Sequence, residues 1–146
     1  MGGKCMESIT VSASLEQMYS VLAGISQLLE REGCPENERR LMEISAEELF
    51  TNIASYAYGG DEGILRIEYG VSCLEGESKL AVVRFMDQGI PFDPFDKEDP
   101  DFSLPIEQRP VGGLGIYMVK TFMDRLSYRR EKGWNITVME KQFHAG

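Results

Sequence analysis

The sequence predicts an α+β fold in a single domain spanning residues 1–146, and three observations carry that expectation. Segments that alternate in polarity, or are rich in β-branched and aromatic residues, flank segments whose apolar residues recur at helical spacing. No internal repeat, low-complexity tract or linker divides the chain. Its 146 residues, 42% of them hydrophobic, suffice for one core, burying roughly two-thirds of the unfolded surface.

In chain order, "ESITVSAS" alternates apolar and small polar residues and predicts a first strand. Ser14 is placed to cap a helix from about Leu15 to Arg31, which "EGCP" stops. Pro35 suits the first turn of a second helix, expected to run to about Tyr58, where "GG" ends it. Leu41, Ile44, Leu49, Ile53 and Ala57 form its expected buried face. "GILRIEYGVS" and "SKLAVVRFMD" predict adjacent strands joined at "EGE". Pro91, Pro94, Pro100, Pro105 and Pro110 are then interspersed with Asp93, Asp96, Glu98, Asp99, Asp101 and Glu107, a texture that no ordinary helix or central strand tolerates. A loop of this length inside a compact domain reads as a mobile lid, approximately 92–111. In "VGGLGIYMVKTFMDRLSY", Ile116, Val119, Met123 and Leu126 have helical spacing, which puts the glycines at a helix N-terminus. "LSYRRE" and "WNITVMEKQF" predict two closing strands.

Composition narrows the function. A formal charge of −9 opposes binding to nucleic acid or to an anionic membrane surface. Lys120, Arg125, Arg129, Arg130 and Lys132 do cluster, but Asp124 and Glu131 are interspersed, so the cluster reads as a solvated surface. No apolar stretch approaches a membrane span and the start lacks a hydrophobic signal core, so a cytoplasmic location is expected. Cys5, Cys34 and Cys73 are widely separated and form no CxxC pair, which favours reduced thiols over disulfides or a thiolate metal site. The only histidine, His144, falls where a frayed tail is expected, which argues against histidine chemistry.

Three short segments carry the candidate chemistry. In "ISAEELFTNIASYAY", Glu48 and Asn52 lie one helical turn apart, while Glu47 is rotated toward Glu43 and Thr51. In "RFMDQGIPFDP", Asp87, Gly89 and Pro91 follow a strand. That pattern makes a plain turn, or a carboxylate that accepts from an exocyclic amine. "GGLG", Gly112 to Gly115, precedes a helix: it suits a helix cap, or a site where backbone N–H groups meet phosphate. It matches neither a Walker loop nor a Rossmann fingerprint.

Taken in order, these segments resemble the N box (Glu48, Asn52), first glycine box (Asp87, Gly89, Pro91) and second glycine box (Gly112, Gly113, Leu114, Gly115) of the GHKL ATPase superfamily. Within it the chain is most similar to the RsbW-type anti-sigma-factor serine kinases, over nearly its whole length. The resemblance implies a two-layer α/β sandwich of the Bergerat type: a mixed, mostly antiparallel sheet, three helices on one face and a mobile ATP lid. It implies ATP and Mg²⁺ as ligands, with Asn52 on the metal and Glu48 as general base toward a serine hydroxyl. Asp87 would accept from the adenine amine, Gly89 would leave room for the base, and Gly112, Gly113, Leu114 and Gly115 would surround the phosphates. Thr137 would support the adenine contact, and Arg109 would reach a phosphate as the lid closes. The implied partners are a small anti-anti-sigma (STAS-like) protein and a sigma factor, with room for a homodimer. Two departures stand out. Tyr56 takes a position where members often carry histidine, and His144 cannot serve as a histidine kinase's phosphoacceptor. A nucleotide-controlled binding module without phosphotransfer is the alternative.

Overall fold

The computed structural model describes residues 5–59, 63–108 and 114–146. Among them the chain runs β1 (Cys5–Ser12), α1 (Leu15–Arg31), α2 (Glu36–Asn52), a π-helical turn (Ile53–Ala57), β2 (Ile64–Cys73) and β3 (Ser78–Asp87). It continues through a 3₁₀ turn (Ile106–Gln108), α3 (Leu114–Phe122), β4 (Arg125–Glu131) and β5 (Trp134–His144). The strands form one five-stranded sheet in the order β1-β2-β3-β5-β4. Every pairing is antiparallel, so among the described residues the sheet is not mixed. The two helices between β1 and β2 carry the chain out and back, so Ile64 at the start of β2 pairs with Ser12 at the end of β1.

The helix starts follow local chemistry. Ser14 caps α1 by accepting from the Gln17 N–H, and Pro35 precedes the first turn of α2. All three helices cover one face of the sheet. Ile25 and Leu29 of α1, Ala46 and Phe50 of α2, and Ile116 and Val119 of α3 join Leu65, Ile67, Val83, Phe85 and Met139 in the main core. On the opposite face Val82, Ile136 and Val138 form a smaller apolar cluster with Met6, Leu80, Met86 and Trp134.

Four local expectations are corrected. The second helix stops being α-helical at Asn52 and passes into the π turn, with Gly59 at φ 61° just beyond it. Such wider turns are rare and frequent at functional sites. The buried stripe of α2 is Met42, Ser45, Ala46, Leu49 and Phe50, whereas Ile44 is exposed and Leu41 half-buried. Here α2 packs against both α1 and α3, and the small Ser45 and Ala46 are buried on that packed side. Leu126 belongs to β4, because α3 ends at Phe122, whose carbonyl accepts from Lys141 Nζ at 2.9 Å. His144 is the last residue of β5, with Nδ1 3.3 Å from Ser78 Oγ. Cys34 and Cys73 are free thiols, and burial, reinforced by Glu38, pushes Cys34 up to about 11, which keeps it a thiol at neutral pH.

Candidate functional site

The end of α2 sets the first part of the site. Glu47 points to solvent, Glu48 is half-buried and Asn52 is buried. Asn52 Nδ2 donates to Glu48 Oε1 at 2.9 Å and to the Glu48 carbonyl at 2.7 Å. Both amide hydrogens therefore turn back toward Glu48, and Asn52 Oδ1 faces the acidic, proline-rich loop. There it accepts from Lys97 Nζ at 3.4 Å. The same ammonium lies 4.4 Å from the Tyr56 ring centroid, and Tyr56 packs on Phe92. Lys120 of α3 donates to the Lys97 carbonyl and pairs with Asp99, each at 3.1 Å. Among the described residues no group of three or more His, Cys, Asp or Glu side chains converges on a metal position. A cation at Asn52 Oδ1 would complete its shell with phosphate and water oxygens, as Mg²⁺ commonly does.

Glu48 also reaches α3. A Cβ built on Gly115 would collide with the Glu48 carboxylate, so the carboxylate rests against the first turn of α3. Leu114 is largely exposed at the same turn. Arg109, Gly112 and Gly113 lie outside the described residues.

The second part sits where β3 ends. Asp87 is 1% exposed, and its Oδ1 accepts from the Gly89 N–H at 2.9 Å and from Asn135 Nδ2 at 2.8 Å. Desolvation raises the Asp87 pKa, opposed by those hydrogen bonds and by Arg130. Thr137 pairs with Phe85 across the β3–β5 ladder, two residues from Asn135, which pairs with Asp87. The two side chains share the helix-covered face. Thr137 is fully buried, and its Oγ1 has no hydrogen-bond partner among the described residues. A buried hydroxyl without a partner is costly unless a ligand or water supplies one.

Gly89 joins the two parts. The Ile90 N–H donates to the Ala57 carbonyl at 3.0 Å, and a Cβ on Gly89 would stand 2.7 Å from the Ala57 carbonyl carbon and 2.9 Å from its Cβ. The loop backbone thus lies directly on the end of the π turn. Tyr58 reinforces this closure by accepting from the Gln88 N–H at 2.8 Å and donating to the Ile64 carbonyl at 2.5 Å. Gly89→Ala is expected to destabilise the fold by roughly 1–3 kcal/mol, the usual cost of overpacking. An unchanged urea midpoint for this variant would mean that the contact is easily relieved.

A family profile described as the histidine kinase-like ATPase domain matches residues 11–141. The chain belongs to the histidine kinase-like ATPase domain family. Within curated proteins, this family member is 29% identical over 131 residues to the serine-protein kinase RsbW of Bacillus thuringiensis (strain Al Hakam), a match covering 86% of this chain and 78% of the relative. RsbW of Bacillus cereus (strain AH187) matches to the same extent. Among solved structures, the crystal structure of the RsbU and RsbW domains of Rv1364c from Mycobacterium tuberculosis superposes with a TM-score of 0.60 at 14% identity. That match covers 97% of this chain but only 34% of the other, and at that identity it speaks to the fold alone. No helix among the described residues of this ATPase-family chain is long and apolar enough to cross a membrane.

Three residues that the structure brings to this candidate site have no place in the motifs. Lys97 lies in a loop whose prolines and acidic residues dominate its sequence signal. Arg130 belongs by sequence to the basic cluster expected to be solvated, yet its Nη1 donates to the Gly89 carbonyl at 2.8 Å and to Asn135 Oδ1 at 3.1 Å. Asn135 stands inside the strand segment "WNITV", where no motif marks it. The available signal was period two, which puts Asn135 and Thr137 on the face that carries Met139 in the core.

Proposed function

We propose that this chain is an ATP-dependent protein serine kinase of the anti-sigma-factor type, acting in the cytoplasm. It would phosphorylate a serine on a small anti-anti-sigma, STAS-like partner and sequester a sigma factor. One observation carries the reading: the Glu48 carboxylate is held by Asn52 and rests against Gly115, so the N box and the second glycine box meet at one carboxylate. RsbW relatives that are serine-protein kinases support it.

In this reading Asp87 accepts from the adenine amino group, through the oxygen that no donor fills among the described residues, and Thr137 supplies a hydroxyl beside it. The backbone amides of Gly112, Gly113, Leu114 and Gly115 would hold phosphate oxygens, and Arg109 would add a positive charge. Asn52 Oδ1 would hold Mg²⁺, which when bound would offset the negative charge on the transferring phosphoryl group. The ammonium of Lys97, 3.4 Å from that oxygen, supports a cation at this position. Glu48 takes the proton from the serine hydroxyl. Segment 92–111 closes over the nucleotide as a lid.

A second reading, a nucleotide-controlled binding module without phosphotransfer, is favoured by Tyr56. Where relatives in the resemblance often carry histidine, this residue packs on Phe92 and Lys97 of the loop. Incubation with labelled ATP, Mg²⁺ and a STAS-like partner separates the two. Label on a partner serine is expected, and nucleotide binding without label would favour the module. Base recognition is tested by calorimetry: ATP is expected to bind better than GTP by roughly 1–3 kcal/mol, because the guanine carbonyl would face an acceptor. Asp87→Asn is expected to erase that preference, and its persistence would remove Asp87 from this role.

A further inference from the structure

Asn135 is 1% exposed and uses both ends of its amide. Nδ2 donates to Asp87 Oδ1 and to the Ile90 carbonyl, each at 2.8 Å. Oδ1 accepts from Tyr128 Oη at 2.5 Å, from Arg130 Nη1 at 3.1 Å and from the Phe92 N–H at 3.4 Å. With donors gathered on the oxygen and acceptors on the nitrogen, only one orientation of the amide satisfies its neighbours. The amino end is therefore held toward Asp87.

That orientation decides what Asp87 can offer a ligand. The Gly89 N–H and Asn135 Nδ2 both donate to Oδ1, while Oδ2 receives no donor among the described residues. A carboxylate with one oxygen engaged twice cannot rotate without breaking both bonds. The same asparagine holds the Ile90 carbonyl and the Phe92 N–H, on either side of Pro91, so the carboxylate and the loop leaving β3 are fixed by one side chain.

We propose that Asn135, oriented by Tyr128 and Arg130 of β4, is a positioning residue for base selectivity: it consumes one oxygen of Asp87 within the protein and presents the other to a purine amino group. This rests on the reading of Asp87 as the adenine acceptor.

The test compares ATP with inosine triphosphate, which has the same sugar and phosphates but carries a carbonyl in place of the purine amine and an N–H at the adjacent ring nitrogen. Affinities are measured by calorimetry for the wild type, Asp87→Asn, Asn135→Ala and Tyr128→Phe. The wild type is expected to prefer ATP by about tenfold or more, and Asp87→Asn to abolish the preference. Asn135→Ala is expected to narrow it severalfold, through lost ATP affinity with inosine triphosphate nearly unchanged. Tyr128→Phe removes only the hydroxyl that donates to Asn135 Oδ1, so it should remain folded and narrow the ratio in the same direction. Equal losses for the two nucleotides in Asn135→Ala, or an unchanged ratio in Tyr128→Phe, would reduce Asn135 to a structural role and overturn the proposal. A preference that survives Asp87→Asn would instead sink the reading of Asp87, and the proposal with it.

Discussion

Glu48→Gln is expected to retain ATP binding while phosphoryl transfer to the partner serine falls roughly 100- to 10,000-fold, the range that general bases contribute. Glutamine keeps the length of the side chain, and its carbonyl oxygen still accepts from Asn52 Nδ2, now at 2.9 Å from Glu48 Oε1. What it loses is the capacity to take a proton and the negative charge beside the start of α3. Glu47→Gln is the matched control, since Glu47 is exposed on another face of α2 and should change transfer little. Both variants would be assayed for labelled phosphate on the partner and, by calorimetry, for ATP affinity. Equal defects would mean that the wrong glutamate faces the site. Unchanged transfer in Glu48→Gln would move the protein toward the binding module.

Asn52→Ala is expected to remove the magnesium-dependent part of nucleotide binding. ATP affinity in Mg²⁺ should then fall to the value measured with chelator. The loss should be at least the roughly 10- to 100-fold that residues supporting metal ligands commonly carry. The substitution deletes Oδ1, which faces Lys97, and also the two Nδ2 bonds that hold Glu48, so transfer should fall as well. Asn52→Asp separates these effects: it keeps an oxygen for the cation while losing the donor to Glu48. A magnesium-dependent gain that persists in Asn52→Ala would place the cation elsewhere.

Much of the fold is legible locally. Ser14 marks the start of α1, and the strands beginning at Ile64, Ser78 and Trp134 follow from β-branched and aromatic runs bounded by turn residues. The pairing of Glu48 with Asn52 is legible too, because i and i+4 share a helix face whatever the helix packs against. The rotation of α2 about its axis is not. Ile44 fits a periodic stripe as well as Ala46 does, and only contact with α1, α3 and the sheet selects the small residues for the buried side.

By itself the sequence determined the element types, the order of the polar boxes and the family they resemble, because each depends on spacing within one element or one turn. Tertiary structure alone decided that Glu48 meets Gly115, that Lys97 reaches Asn52, and that Asn135, Tyr128 and Arg130 close around Asp87. Those contacts join residues far apart in the chain. Sheet register and helix packing choose which of many exposed or alternating polar side chains come within hydrogen-bonding distance, and no local periodicity encodes that choice.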